Sequence, residues 1–188
     1  MSSIALFPLS VVLFPGGPLP LRIFETRYLD MVGRCMRESQ EFGVALIREG
    51  REAGPAETVD VGTMAKIVDF HQLADGFLGL SCVGRQRFRI LSRSRQADGL
   101  NLAEVQWLQA ESAVAVPARH ARLAQLLKGV LPQLGEAYTA MPMQLENAAW
   151  ISCRLAEILP IPPADKQACL ELDDPIQRLE LLAPLALP

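Results

Sequence analysis

Histidine is scarce in this chain, and the residues that could serve metal or redox chemistry are scattered. Its two histidines, His71 and His120, belong to no HExxH motif and to no ligand-spaced cluster, so a zinc centre is not expected. His71 falls at the end of an expected strand, where a structural histidine is the ordinary reading. The four cysteines, Cys35, Cys82, Cys153 and Cys169, form no CxxC pair, which argues against a zinc knuckle or a redox motif and fits the reducing cytoplasm. No Gly-Lys dipeptide occurs, so the chain has no P-loop to cradle phosphates. The nearest approach to a nucleophile elbow, Gly79-Leu80-Ser81-Cys82-Val83, lacks its last glycine and sits inside a strand pattern. No catalytic set, cofactor or metal is therefore expected. No apolar run approaches the roughly eighteen residues needed to span a bilayer. The apolar stretch from Ile4 to Phe14 reads as mature structure, because no basic residue precedes it and Pro8 interrupts it. A formal charge of -3 gives no general attraction to nucleic acid or anionic membrane.

What is present is apolar surface. Half of the 188 residues are hydrophobic, enough for burial alone to hold one sizeable core or two small ones. The segment 7–31, FPLSVVLFPGGPLPLRIFETRYLDM, sets four prolines and two glycines in an apolar run. Each proline removes a backbone donor, so the run reads as short extended pieces around a turn at Pro15-Gly16-Gly17-Pro18. From Phe24 the spacing Phe24, Tyr28, Met31, Val32, Cys35 puts one apolar stripe on a helix, with Glu25 at its start and Arg34 and Arg37 near its end, as the helix dipole favours. Arg22, Glu25, Arg27 and Tyr28 are polar groups amid apolar neighbours, and are expected to satisfy buried groups where this helix packs, with binding as the alternative.

Further along, 41–47 reads as a buried strand and 48–60 as a charged loop, either solvated or serving binding. Strand patterns follow as GTMAKIVDFHQL, FLGLSCVG, RFRILSRSR and LAEVQWLQA, with turns expected at Ala74-Asp75-Gly76, Gly84 and Asp98-Gly99. About seven strands and one early helix suffice for a small barrel. Arg85, Arg87, Arg89, Arg93 and Arg95 all carry odd numbers, so on a continuous strand they share one face. That face is either simply solvated or a site for RNA or an acidic polypeptide. Near Ala115 the period becomes helical. Helices are expected from Pro117 to about Leu131, from Met143 to Leu159, and from Ala164 to Leu172. A last one begins at Asp174, an N-cap followed by Pro175. The expected architecture is α+β, with a β-rich subdomain at 1–114 and a helical bundle at 115–188. Met141 and Met143, in the turn between helices, are candidate binding residues beside the 48–60 loop.

The order FPL, VLFPG, LPLRIFE and RY (Phe7, Pro8, Leu9, Val12, Phe14, Pro15, Gly16, Leu19 to Glu25, Arg27 and Tyr28) resembles the opening of the amino-terminal domain of Lon proteases. Arg87-Phe88 after Gly84, and Cys169, Leu170, Glu171, Asp174, Arg178 and Leu179 near the end, extend the resemblance over roughly residues 4–183. It implies a PUA-like pseudo-barrel, an internal structural role for Arg87 with Glu25 as its partner, and a stand-alone bacterial copy of a substrate-binding domain. It further implies a non-enzymatic module recognising unfolded or hydrophobic polypeptide segments, as an adaptor for a separate protease or through self-association. RNA binding through the arginine face is the competing expectation.

Overall fold

Strands β1 (Ser2–Leu9) and β3 (Phe42–Gly50) run parallel, pairing Leu6 with Gly43 and Leu9 with Leu46. Parallel neighbours need a crossover, which β2 (Pro18–Ile23) and helix α1 (Thr26–Glu38) supply. The computed structural model describes residues 2–52 and 54–186. After β3 come β4 (Ala56–Thr58), β5 (Val61–Gln72), β6 (Leu78–Arg95) and β7 (Asn101–Trp107). All other pairs are antiparallel: β1 with β7, β7 with β6, β6 with β5, and β5 with β3. Together with the β1–β3 pair they close a five-stranded ring, from which β4 hangs on β3 and β2 on β6. This is the expected β-rich pseudo-barrel of an α+β fold.

Neighbouring residues on three of these strands enter different cores. Phe7, Val44 and Ala65 join a cluster with the α1 stripe of Tyr28, Met31, Val32 and Cys35. Leu6, Ala45 and Met64 join a second cluster around Phe88. Strands buried on both faces read as continuous apolar runs, as FGVALI does. Phe24 precedes α1 and is exposed rather than starting its stripe, with its ring edge-on to Phe77 at 6.1 Å.

Two strand assignments differ from expectation. Gly84 is no turn: it lies inside the 18-residue β6, where the Pro15-Gly16-Gly17 turn docks. Gly16 N donates to Gly84 O at 2.8 Å and Gly84 N to Gly17 O at 2.9 Å. A Cβ on Gly84 would stand 2.1 Å from Phe14 O, so glycine is required by the close approach. The segment 48–60 is mostly a hairpin, since β3 continues to Gly50 and pairs back with β4, leaving only 51–55 to connect them; Ala53 lies outside the described residues. The turns at Asp75 and Asp98 form as expected: each carboxylate accepts from the backbone two residues on, Phe77 N at 3.1 Å and Leu100 N at 2.9 Å.

The chain divides into two compact units, the second beginning at Ala110. It contains α2 (Ala121–Val130), the short α3 (Glu136–Thr139), α4 (Ala148–Ile158), α5 (Pro163–Glu171) and α6 (Pro175–Ala186). Helix α4 starts at an Asn147 cap accepting from Ala149 N, several residues after the expected Met143. Before it, Ala148 N donates to Val114 O and Val116 N to Glu146 O, an extended pairing that occupies the backbone there. Residues 148–156 are all buried, so α4 is a central helix and not a one-sided stripe. Asp174 caps α6 through Ile176 N at 2.8 Å.

Candidate functional site

The polar residues of the opening segment mostly serve the fold. Arg27 donates Nη1 to Gly99 O at 3.1 Å, pairs Nη2 with Glu25 Oε2 at 2.7 Å, and lies 4.7 Å over the Tyr28 ring. Tyr28 stacks on Phe7 with centroids 3.9 Å apart, and burial pushes its phenol above the ordinary value. Glu25, Arg27 and Tyr28 thus fasten the start of α1 to the Asp98-Gly99 turn. The partner of Glu25 is Arg27, which replaces the Arg87 pairing that the resemblance implied. Arg22 is exposed, pairing with Asp75 at 3.0 Å and lying 4.5 Å over the Phe77 ring.

The arginine face does not form. Thr63 opposes Arg87 while Ala65 opposes Gly84, so Met64 faces both Arg85 and Gln86; a second shift falls between Ile90 and Ser92. Each bulge reverses the alternation of side chains. No shift falls between Arg87 and Arg89, which oppose Thr63 and Val61 and so share a face, with Arg87 buried and Arg89 exposed. Arg85 approaches Glu41 at 3.7 Å. Arg93 is bound to Thr58 O, Val59 O and Asp60, and Arg95 to Gly99 O.

In the helical unit, Met141 Sδ accepts from buried Arg154 Nη1 at 3.4 Å, so its sulfur has a packing role. Met143 is partly exposed and lines an open depression of about 570 Å³ with 113–115 and 144–147. Arg154 also meets Glu157 at 2.9 Å, and Tyr138 donates to Glu157. Burial holds the Glu157 carboxyl above its usual range.

Ser81 and Cys82 lie within β6 with no strand-to-helix turn. Cys82 is buried, its thiol pushed up to about 12 by desolvation. His71 lies across from Gly79, whereas Cys82 opposes Ile67, so the two do not pair. No group of three metal-ligating side chains gathers among the described residues.

Sequence reasoning missed the groove where α1 and the turn after it face β5. An open space of about 440 Å³ is lined by Cys35, Met36, 39–41 and 66–70. Around it Met36 is 42% exposed, Val68 57% and Phe70 55%. Phe70 opposes Leu80, which is almost fully buried, so both stand on the same face of the sheet. Phe70 therefore points toward the core side yet remains uncovered.

A five-stranded barrel closed by one parallel pair, with a helical unit after it, defines a small α+β class. Residues 3–186 match the family described as the ATP-dependent protease La (LON) substrate-binding domain, and the chain belongs to that family. The Lon N-terminal domain protein from Xanthomonas campestris is 37% identical, with a TM-score of 0.82 over 98% of both chains. The N-terminal domain of Mycobacterium avium complex Lon protease, 20% identical, shares the fold at a TM-score of 0.73 over 98% of both. Lon protease 2 of Myxococcus xanthus is 28% identical over 93% of this chain, which spans only 22% of that protein's length. Among the described residues no helix is long and apolar enough to cross a membrane.

Proposed function

We propose that this chain is a cytoplasmic recognition module without chemistry of its own, which holds exposed apolar segments of unfolded polypeptides. The observation that carries this reading is the cluster of uncovered large apolar side chains, Met36, Val68 and Phe70, around one open groove. Apolar surface gathered beside a concave space is the kind that partners cover. A match to a substrate-binding family along nearly the whole chain supports it. We extend the proposal to an adaptor role, in which the bound segment is presented to a separate protease, with self-association as the means of adding sites.

The test is fluorescence anisotropy with reduced, carboxymethylated α-lactalbumin and a single-stranded RNA, each labelled, at low and high salt. Saturable binding to the unfolded protein, little changed by salt, is expected. Binding to RNA alone, falling steeply with salt and lost in Arg89→Glu, would overturn the reading.

A further inference from the structure

The groove has a second property, which lies in the backbone. Strand β3 begins at Phe42 and pairs with β5 only through Ala65, opposite Phe42. Beyond that point β5 continues to Gln72 against β6 alone. Residues Lys66–Gln72 are therefore an open strand edge, about 20 Å long at ~3.4 Å per residue. On a regular antiparallel strand alternate residues aim their N–H and C=O away from the partner; the shift between Ile67 and Asp69 divides this edge into two such stretches, 66–67 and 69–72, whose outward groups are open to another strand.

Two other edges of this unit are blunted. Pro18 and Pro20 occupy alternate positions of β2, so both missing donors lie on its outer edge. Strand β4 is only Ala56–Thr58, too short to template a partner. The β5 edge has no proline. It does carry two other devices: a register shift against β6 falls between Ile67 and Asp69, and the Asp69 carboxylate accepts from the adjacent Phe70 N at 2.8 Å, holding that amide as a neighbouring strand would.

We infer that an extended, uncharged stretch of client polypeptide adds as a strand to the Lys66–Gln72 edge of β5, placing alternate apolar side chains between Phe70 and Met36. The inference rests on the recognition reading above and supplies its mode. Backbone pairing tolerates any sequence, while the apolar groove selects bulky residues at every second position. Charges beside the edge, Lys66 against Asp69 and Arg85 against Glu41, balance, so they favour neither sign of occupant.

The experiment combines amide hydrogen exchange of the full chain with binding of a synthetic peptide alternating valine or phenylalanine with threonine. Binding is expected to slow exchange within 66–72. N-methylation of one alternate set of peptide amides is expected to weaken binding about tenfold, two or more net hydrogen bonds being lost, and methylation of the other set to leave it nearly unchanged. Phe70→Ser, at an exposed position, should weaken binding of both the peptide and unfolded α-lactalbumin. If unfolded α-lactalbumin binds while exchange at 66–72 and both methylated peptides behave as unmodified, strand addition is overturned and recognition stands. If neither probe binds, both are overturned. Concentration-dependent protection of 66–72 without peptide would assign the edge to a second copy and also overturn the inference.

Discussion

Arg178 is expected to be the most sensitive single position of the helical unit. Its guanidinium is fully buried, donating to Cys169 O at 2.7 Å, Leu172 O at 2.5 Å and Ser152 Oγ at 3.1 Å. It also grips both oxygens of Glu111, at 2.6 and 3.0 Å. One side chain thereby ties α4, the end of α5, the start of α6 and the chain leading into α2. Arg178→Ala removes the guanidinium from a Glu111 side chain only 9% exposed, takes the donor from two carbonyls, and leaves a cavity. Breaking a buried ion pair on one side costs about 3–5 kcal/mol, and the cavity adds to it, so a loss of at least ~4 kcal/mol is expected. Against a typical stability of about 5–15 kcal/mol this is a large fraction. Urea titration followed by Trp150, which is buried in α4, reads this unit once exposed Trp107 is replaced by Phe. Arg178→Lys should fall between, since an ammonium cannot hold both carboxylate oxygens in a planar fork. Arg178→Met combined with Glu111→Leu should cost less than Arg178→Ala alone, because no buried charge is left behind. A loss under about 1 kcal/mol for Arg178→Ala, which is the size of an ordinary exposed pair, would refute the reasoning.

Two further outcomes concern the barrel unit, the second set against a control in α2. Cys82 keeps its proton in the folded state up to about pH 12, while in the unfolded chain it ionises near ~8.5. The folded state then holds more protons, so above that lower value stability falls as pH rises, by up to about 1.4 kcal/mol per unit. Comparing urea titrations of the parent and Cys82→Ala at pH 7 and pH 10 isolates this slope; equal slopes would sink the assignment. Gly84→Ala forces a methyl against Phe14 O and is expected to cost about 2–3 kcal/mol, as overpacking a close contact does. Gly129→Ala, in α2 with nothing within 4 Å, should instead gain about 0.5–1 kcal/mol. Thermal melts of the two check the contrast, and similar shifts would mean that β6 can move away from the Pro15-Gly16-Gly17 turn.

Features fixed by a few adjacent residues were legible in the sequence. The α1 stripe from Tyr28 to Cys35, the aspartate turns at Asp75 and Asp98, and the Asp174-Pro175 start of α6 each depend on side chains within one or two turns of chain. Features set by distant pairing were not. A glycine between two apolar runs looks the same whether it makes a turn or admits another segment, and what selects the second for Gly84 is Phe14, far upstream. The odd-numbered arginines share a face only on a regular strand, and the bulges that part them come from the register against β5 and β7.

The groove follows the same logic one level higher. No local pattern marks Phe70 as uncovered, since in FHQL it reads like any core aromatic. It is left open because β5 outlasts β3, its neighbour on that side, by seven residues, Lys66 to Gln72. The length difference between two strands, each unremarkable alone, creates both the free edge and the apolar wall beside it. A recognition surface made this way needs no signature residues of its own. Its backbone half is nearly independent of sequence, and its apolar half asks only for hydrophobic side chains where Met36 and Phe70 now stand. Conservative exchange of either residue for leucine should therefore preserve polypeptide binding, whereas lengthening β3 by grafting a paired strand opposite 66–72 should abolish it with both side chains intact. Anisotropy with unfolded α-lactalbumin separates the two halves, and binding that survives the covered edge would show that the apolar wall acts alone.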